Sequence, residues 1–470
     1  MSLAVMYISA LLAVMVVVIM LIKKMDIKIS LFLIGILLMF IAMASGNSIA
    51  IKDFVSTGVP ILDPLKAIAD QFKSIIVASG FIILILGGYS SYMSHIKAND
   101  VTVSILTKPI AKIKSIYILV PAVFLLGNIL SLVIPSASNL AVILLATLYP
   151  IMLQSGMSAL TAGAIIATTA TVIPTPLGSD NVAIAAELAN TTQFAGLTAS
   201  DYVFKYHALI SIPTLVVMAI VHYVWQKHCD KKIDIKNEII EEIKVETMEG
   251  SVLYKIIYGL LPLLPIILLI IVFLLQTFMK LSISLSVEVA VLFSMVIAIL
   301  CELIRTRDGK KTLDSTEVFF KGMGNAMPIV ALLVAGTIFV TGLQSIGIIT
   351  ALQNAMTNLH GSNMGFILPL ILVLLTSLIV ILSGSGTALF FAMVPLMVPL
   401  AEAAGIHVLA ISLPMGLAGN LLRAVSPVSA VVMIVAGSIK KEPLEVVKRT
   451  CVPMIAGVIF MFVLTMILYL

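Results

Sequence analysis

Eleven residues near the C-terminal end, Gly419-Asn420-Leu421-Leu422-Arg423-Ala424-Val425-Ser426-Pro427-Val428-Ser429, set one arginine among small, polar and helix-breaking neighbours. Apolar stretches flank them, Val408 to Gly416 and Ala430 to Ala436. A guanidinium is costly to bury in such surroundings, so Arg423 reads as functional. Gly419 and Pro427 are residues that break helices, so an interruption is expected here. The chemistry on offer is anion recognition, because a planar guanidinium grips a carboxylate through two hydrogen bonds.

Three further clusters share this character. Ser136, Ser138 and Asn139 lie in the stretch Pro135 to Asn139, and Ser385, Gly386 and Thr387 in Ser383 to Thr387. Thr175, Ser179, Asp180 and Asn181 lie in Pro174 to Asn181. Each cluster stands at the expected start of a half-helix, where free N–H groups and the positive dipole end favour anions. Ser136, Ser138, Asn139, Ser385, Gly386, Thr387, Asn420, Arg423, Ser426 and Ser429 are therefore the candidate substrate-binding set. Thr175, Ser179, Asp180 and Asn181 are candidates for the coupling ion, since unwound carbonyls and hydroxyls ligate sodium and a carboxylate carries a proton.

Competing readings exist for the same residues. Asp180 and Arg423 can form a purely structural ion pair. Single Ser, Thr or Gly residues in apolar helices are most often packing residues, and only their clustering points to a site. Ser385 as the nucleophile of an intramembrane hydrolase lacks a partner base, and it has a twin in Ser138 that a nucleophile does not need. Glu187 and Glu402 fall near expected outer ends, as solvated groups. The six histidines (His95, His207, His222, His228, His360, His407) show no metal spacing, and most lie at helix ends. Phosphate-loop, H-E-x-x-H and C-x-x-C motifs are absent, which disfavours ATP hydrolysis and a zinc site. No catalytic residue and no cofactor are expected.

The elements that hold these clusters are membrane helices. Hydrophobic residues make up 61% of the 470, charged ones 11%, and the mean hydropathy is +1.19. The class is an all-α polytopic membrane protein. Leu3 to Ile22 is too long for a signal-peptide core and reads as the first span. The formal charge of +5 is no nucleic-acid footprint, because the basic residues sit in short loops between helices. Cys229, Cys301 and Cys451 are scattered, as reduced structural thiols are.

A duplication organises the chain. Ser138 and Ser179 are 41 positions apart, as are Ser385 and Ser426, and the hydropathy order of the two halves agrees. Each half contains an apolar run, a polar tip and a second run too short for a full span, which reads as a re-entrant hairpin. A helix broken mid-membrane follows. With five crossings per half the second half is inverted. An outside N-terminus then places 22 of the 28 Lys and Arg in inner segments and 5 in outer ones, with Arg423 alone within the membrane.

The expected organisation is an N-terminal repeat over 1–226, with scaffold helices 1–94, hairpin 116–153, broken helix 159–189 and helix 204–226. A cytoplasmic linker, 227–253, precedes an inverted repeat over 254–470, with scaffold helices 256–345, hairpin 366–401, broken helix 408–438 and helix 452–470. Hairpin tips meeting broken helices at the midplane are the plan of inverted-repeat secondary transporters. Pro176 occupies the register of Arg423, so the two breaks are alike in backbone and unequal in charge.

Ser426-Pro427-Val428-Ser429, Val435-Ala436-Gly437, Pro443, Glu445 to Thr450 and Val452-Pro453 resemble the DcuC-type anaerobic four-carbon dicarboxylate carriers. So do Met93 to Asp100, Ala146 to Pro150, and Trp225-Gln226 followed by Asp230-Lys231-Lys232. The resemblance implies uptake, efflux or exchange of fumarate, malate or succinate across the bacterial inner membrane, in the ion-transporter superfamily. It also implies a homodimeric elevator architecture like that of the superfamily's sodium–dicarboxylate symporters. Their Ser-Asn-Thr tips are matched only in part by Ser138-Asn139-Leu140 and Ser385-Gly386-Thr387, leaving sodium, proton and exchange modes all open. Another organic anion, a short-chain fatty acid or an amino acid, is the alternative cargo.

Overall fold

The structure is a computed structural model that describes residues 3–23, 25–51, 53–110, 113, 115–134, 136–231, 251–348, 351, 365–384 and 386–470. Among these residues it is all helix, with no strand. The chain opens with α1 (Leu3–Ile22), α2 (Ile27–Ala44), α3 (Asp63–Ile75) and α4 (Phe81–His95), the last two joined by a π-helical turn, Ile76–Gly80. After α5 (Ala98–Thr107) come α6 (Ile116–Ser131), α7 (Ala137–Thr147), α8 (Tyr149–Gln154), α9 (Ala159–Ala167) and α10 (Ser179–Ala189). A single turn, α11 (Ala199–Asp201), passes through a second π-helical turn, Tyr202–His207, into α12 (Ala208–Asp230).

The later part follows with α13 (Val252–Leu260), α14 (Leu264–Met279), α15 (Val287–Thr306), α16 (Gly309–Ser315) and α17 (Glu317–Ser345). Then come α18 (Ile367–Ser383), α19 (Gly386–Met393), α20 (Met397–Ala404), α21 (Leu409–Arg423), α22 (Ala430–Ser438) and α23 (Pro443–Tyr469). Seven helical stretches among the described residues are long and apolar enough to cross a membrane. Their outward faces expose large apolar side chains such as Leu33, Leu37, Ile220, Val224, Phe293 and Ile459, which only lipid or another apolar surface satisfies.

Packing sorts the helices into two groups. In one, α17 runs between α2 and α4, and Gly35 faces Gly342 so closely that the helix backbones touch. In the other, α12 and α23 pack on each other and flank α6, α9 and α21. Here the two halves of the chain interleave, with α22 lying on α7 and α23 on α9, while α19 packs on α21 within the second half. Helix α17 also packs on α19 and so joins the two groups.

One buried network pins the second group together. Arg449 of α23 pairs with Asp230 of α12, Nη1 to Oδ1, at 2.8 Å, with both side chains buried. Ser158 and Thr161, at the start of α9, donate their hydroxyls to the same carboxylate, and Gln226 donates to the Arg449 carbonyl at 2.9 Å. The sequence predicts a linker from residue 227, with all cations except Arg423 outside the membrane. Helix α12 continues to Asp230, whose carboxylate pairs with Arg449.

Candidate functional site

The first break is longer than the sequence suggests. The apolar run to Ile173 predicts helix up to Pro174, but α9 stops at Ala167. Three threonines end it. Thr168, Thr169 and Thr171 turn their hydroxyls back onto carbonyls three or four residues earlier, satisfying the groups that a further turn would have bonded. Ala170 then takes a left-handed conformation, φ 58°, which a residue with a Cβ holds only under constraint.

Side chains complete the break. Asn181 donates Nδ2 to the carbonyls of Ile173 and Thr175, both at 2.9 Å. Thr175, fully buried, accepts the Leu177 N–H on its hydroxyl. These two coupling-ion candidates are thus engaged in shaping the break. In the second break, Ser426 donates to the Ile381 carbonyl at 2.7 Å, Thr450 donates to the Ala424 carbonyl at 2.6 Å, and Ser429 caps α22 by accepting the Val432 N–H. Ser426 and Ser429, both fully buried, act on backbone rather than on a cavity.

The ends of the interrupted helices converge on one cavity of about 630 Å³. Ser136, Ala137, Ser138 and Asn139 line it from the start of α7, and Ser179 from the start of α10. Gly384 and Gly386 line it at the start of α19, and Ala430 and Val431 at the start of α22. The first turns of four short helices therefore meet at one space, and Arg423 stands in its wall. Ser385 lies outside the described residues, and Thr387 falls in the first turn of α19.

The tip between α18 and α19 is held by contact. Gly384 is left-handed, φ 72°, and lies against the backbone of Val428 and Ser429; Gly386 lies against the Gly419 carbonyl, 2.3 Å from where a Cβ would stand. Only glycine permits both approaches.

Arg423 donates from Nη2 to the Ala170 carbonyl at 2.8 Å. Asp180 pairs elsewhere: Oδ2 accepts from Asn420 Nδ2 at 2.9 Å, and Oδ1 accepts the Asn181 N–H at 3.0 Å. Among the described residues the structural bridge between Asp180 and Arg423 does not form. Of the sequence candidates, Ser136, Ser138, Asn139, Ser179, Gly386 and Arg423 share the large cavity, whereas Asp180, Asn181 and Asn420 line a separate small one.

A sequence profile described as C4-dicarboxylate anaerobic carrier, DcuC, matches residues 6–470. The chain belongs to the DcuC family. The anaerobic C4-dicarboxylate transporter DcuC of Escherichia coli K12 is 34% identical over 436 residues, covering 93% of this chain and 90% of that protein. A probable anaerobic C4-dicarboxylate transporter DcuC of Vibrio cholerae is 36% identical over 437 residues, covering 92% and 91%. The DcuC family is a family of transporters, so the chain is not an enzyme. Two solved structures share the fold. Neisseria gonorrhoeae MtrF, from a class of antimetabolite efflux pumps, aligns with a TM-score of 0.62 at 14% identity over 93% of this chain and 94% of its own. The Alcanivorax borkumensis YdaH transporter aligns with a TM-score of 0.63 at 13% identity over 93% and 97%.

Within this DcuC-family chain the opposite cavity wall was not legible in the sequence. Ser90 and Ser91 of α4 and Asn325 of α17 complete the lining. The available signal is Gly87-Gly88-Tyr89-Ser90-Ser91, a small and polar run inside an otherwise apolar helix.

Proposed function

We propose that this chain is a secondary carrier of four-carbon dicarboxylates, fumarate, succinate and malate among them, and that the 630 Å³ cavity is where the acid binds. One observation carries the reading: four helix N-termini and one guanidinium converge on a single space. A dicarboxylate brings two negative charges, and among the described residues the cavity lining supplies one full positive charge. The half-helix dipole ends, each equivalent to roughly half an elementary charge, make up the difference. One carboxylate sits on Arg423 and the tip of Ser136 to Asn139. The other faces Ser90, Ser91 and Asn325.

The same reading extends to the mechanism. Each half of the chain carries a hairpin and a broken helix in the same order, which supports an inverted repeat. The two packing groups support an elevator in which the hairpins and broken helices move against the group around α17. Exchange of dicarboxylates, or coupling to sodium or a proton through the Ser179–Asp180 region, drives the cycle. The carrier works as a homodimer in the bacterial inner membrane.

Purified protein in liposomes, offered labelled fumarate or succinate with and without internal succinate, tests the reading. Saturable uptake stimulated by internal succinate is expected. Uptake of neither acid, alongside saturable uptake of a monocarboxylate or an amino acid, overturns it.

A further inference from the structure

Ser179 and Asp180 are neighbours at the start of α10 yet face different spaces. Ser179 lines the large cavity, whereas Asp180 lines an enclosed one of about 10 Å³. Ile173, Asn181, Tyr202, His207, Gly416 and Asn420 contribute to the small cavity's wall. Two of these carry unpartnered polar atoms. Tyr202 is fully buried and its hydroxyl has no hydrogen-bond partner among the described residues. His207 is 5% exposed, and its Nδ1 is likewise unpartnered.

The backbone explains why the two face the same way. In an α-helix, residues five apart point to different sides. Tyr202 and His207 are five apart on a π-helical turn whose 208-to-203 hydrogen bond spans five residues, so the wider turn brings them onto one face. Their rings meet edge-on, with centroids 5.9 Å apart. π-turns of this kind cost regularity and recur where a side chain must be aimed.

A buried hydroxyl and a buried imidazole nitrogen left unbonded are each destabilising. Here both line a cavity of mixed polar and apolar wall, of roughly the 10–15 Å³ that one water molecule needs, with the Asp180 carboxylate as a third partner. We propose that this cavity is a binding site for a single water molecule that joins Asp180 to Tyr202 and His207. The water accepts from the Tyr202 hydroxyl, donates to Asp180, and closes the triangle at His207 Nδ1. Asp180 is then held from two sides, by Asn420 of α21 and through the water by the π-turn. Tyr202 and His207 act as positioning residues for the first turn of α10, whose Ser179 faces the large cavity.

The test is the sign of a small substitution. Tyr202→Phe deletes only the hydroxyl oxygen. If that hydroxyl bonds to water held by Asp180, the variant unfolds at a lower temperature in detergent, on the order of 2 °C below the parent. If the hydroxyl stands dry, removing an unsatisfied group leaves the melting temperature unchanged or raises it, and the proposal fails. His207→Asn, which keeps a polar atom near the position of Nδ1, is expected to melt closer to the parent than His207→Leu; equal losses overturn the assignment. Both comparisons are made in sodium and in choline buffers. A Tyr202→Phe loss that appears only in sodium assigns the site to a cation and overturns the water. These measurements read stability alone, so they stand or fall apart from the cargo assignment.

Discussion

Arg423 donates from Nη2 to the carbonyl of Ala170 at 2.8 Å, across 253 positions of sequence. The donor ends the helix before the second break, and the acceptor is the left-handed residue of the first. This bond ties the two interruptions together and uses one of the five N–H groups of the guanidinium. Among the described residues no other acceptor engages the guanidinium, which leaves its remaining donors for a bound carboxylate, so a single residue both joins the breaks and presents the cavity's positive charge.

Arg423→Lys keeps the charge and removes the planar fork. A point charge does not hold the Ala170 carbonyl and a carboxylate in the same geometry, so apparent affinity for succinate is expected to fall on the order of tenfold, about 1.4 kcal/mol. The dependence of uptake rate on succinate concentration in proteoliposomes checks this. An unchanged KM would remove Arg423 from direct recognition.

Gly386→Ala places a Cβ 2.3 Å from the Gly419 carbonyl, which neither backbone can yield without moving the tip. Overpacking of this kind is destabilising by about 1–3 kcal/mol. A lower melting temperature and a large loss of uptake are expected. Gly437→Ala, where a Cβ meets nothing within 4 Å, serves as the control and is expected to leave both intact.

Removing one partner of the Asp230–Arg449 pair strands a buried charge. Arg449→Met is expected to be destabilising by about 3–5 kcal/mol, whereas replacing Asp230 as well relieves most of the loss. Melting temperatures of the single and double variants measure the difference. Equal melting of the two would show that the pair is not coupled.

His407 lies in the turn between α20 and α21, stacked on Tyr469 with ring centroids 5.6 Å apart. Its Nδ1 accepts the Leu409 N–H, and burial lowers its affinity for a proton below the ordinary value of 6.5. The unfolded chain takes the proton first, so this contribution to stability is full above pH 6.5 and is lost as the pH falls. Melting of the parent is expected to drop more between pH 7.5 and 5.5 than that of His407→Gln; parallel losses would exclude the histidine.

Much of this site was legible because membrane helices are interrupted only by residues that can satisfy or dispense with backbone hydrogen bonds. Ser136 to Asn139, Gly386 and Arg423 stand out on that ground, and the cavity unites them. The roles of Ser426 and Ser429 were not legible, because the carbonyl and N–H they serve are fixed by tertiary packing. The Asp180–Asn420 bond was obscured for a related reason: charge alone nominates Arg423 as the partner, and only the fold shows that Asn420 reaches first. The sequence places most of the histidines at helix ends, yet His207 and His222 are buried, His207 on its π-turn and His222 against Phe124. A π-turn leaves no periodic trace in so apolar a sequence.

The account's central claim is that a dicarboxylate binds where the four helix starts and Arg423 meet. The direct measurement is an experimental structure of the purified protein saturated with fumarate. The account predicts density for the acid in the cavity, with one carboxylate within hydrogen-bond distance of Arg423 and the first turn of α7, and the other toward Ser90, Ser91 and Asn325. Ordered fumarate elsewhere, with that cavity unchanged, would contradict it.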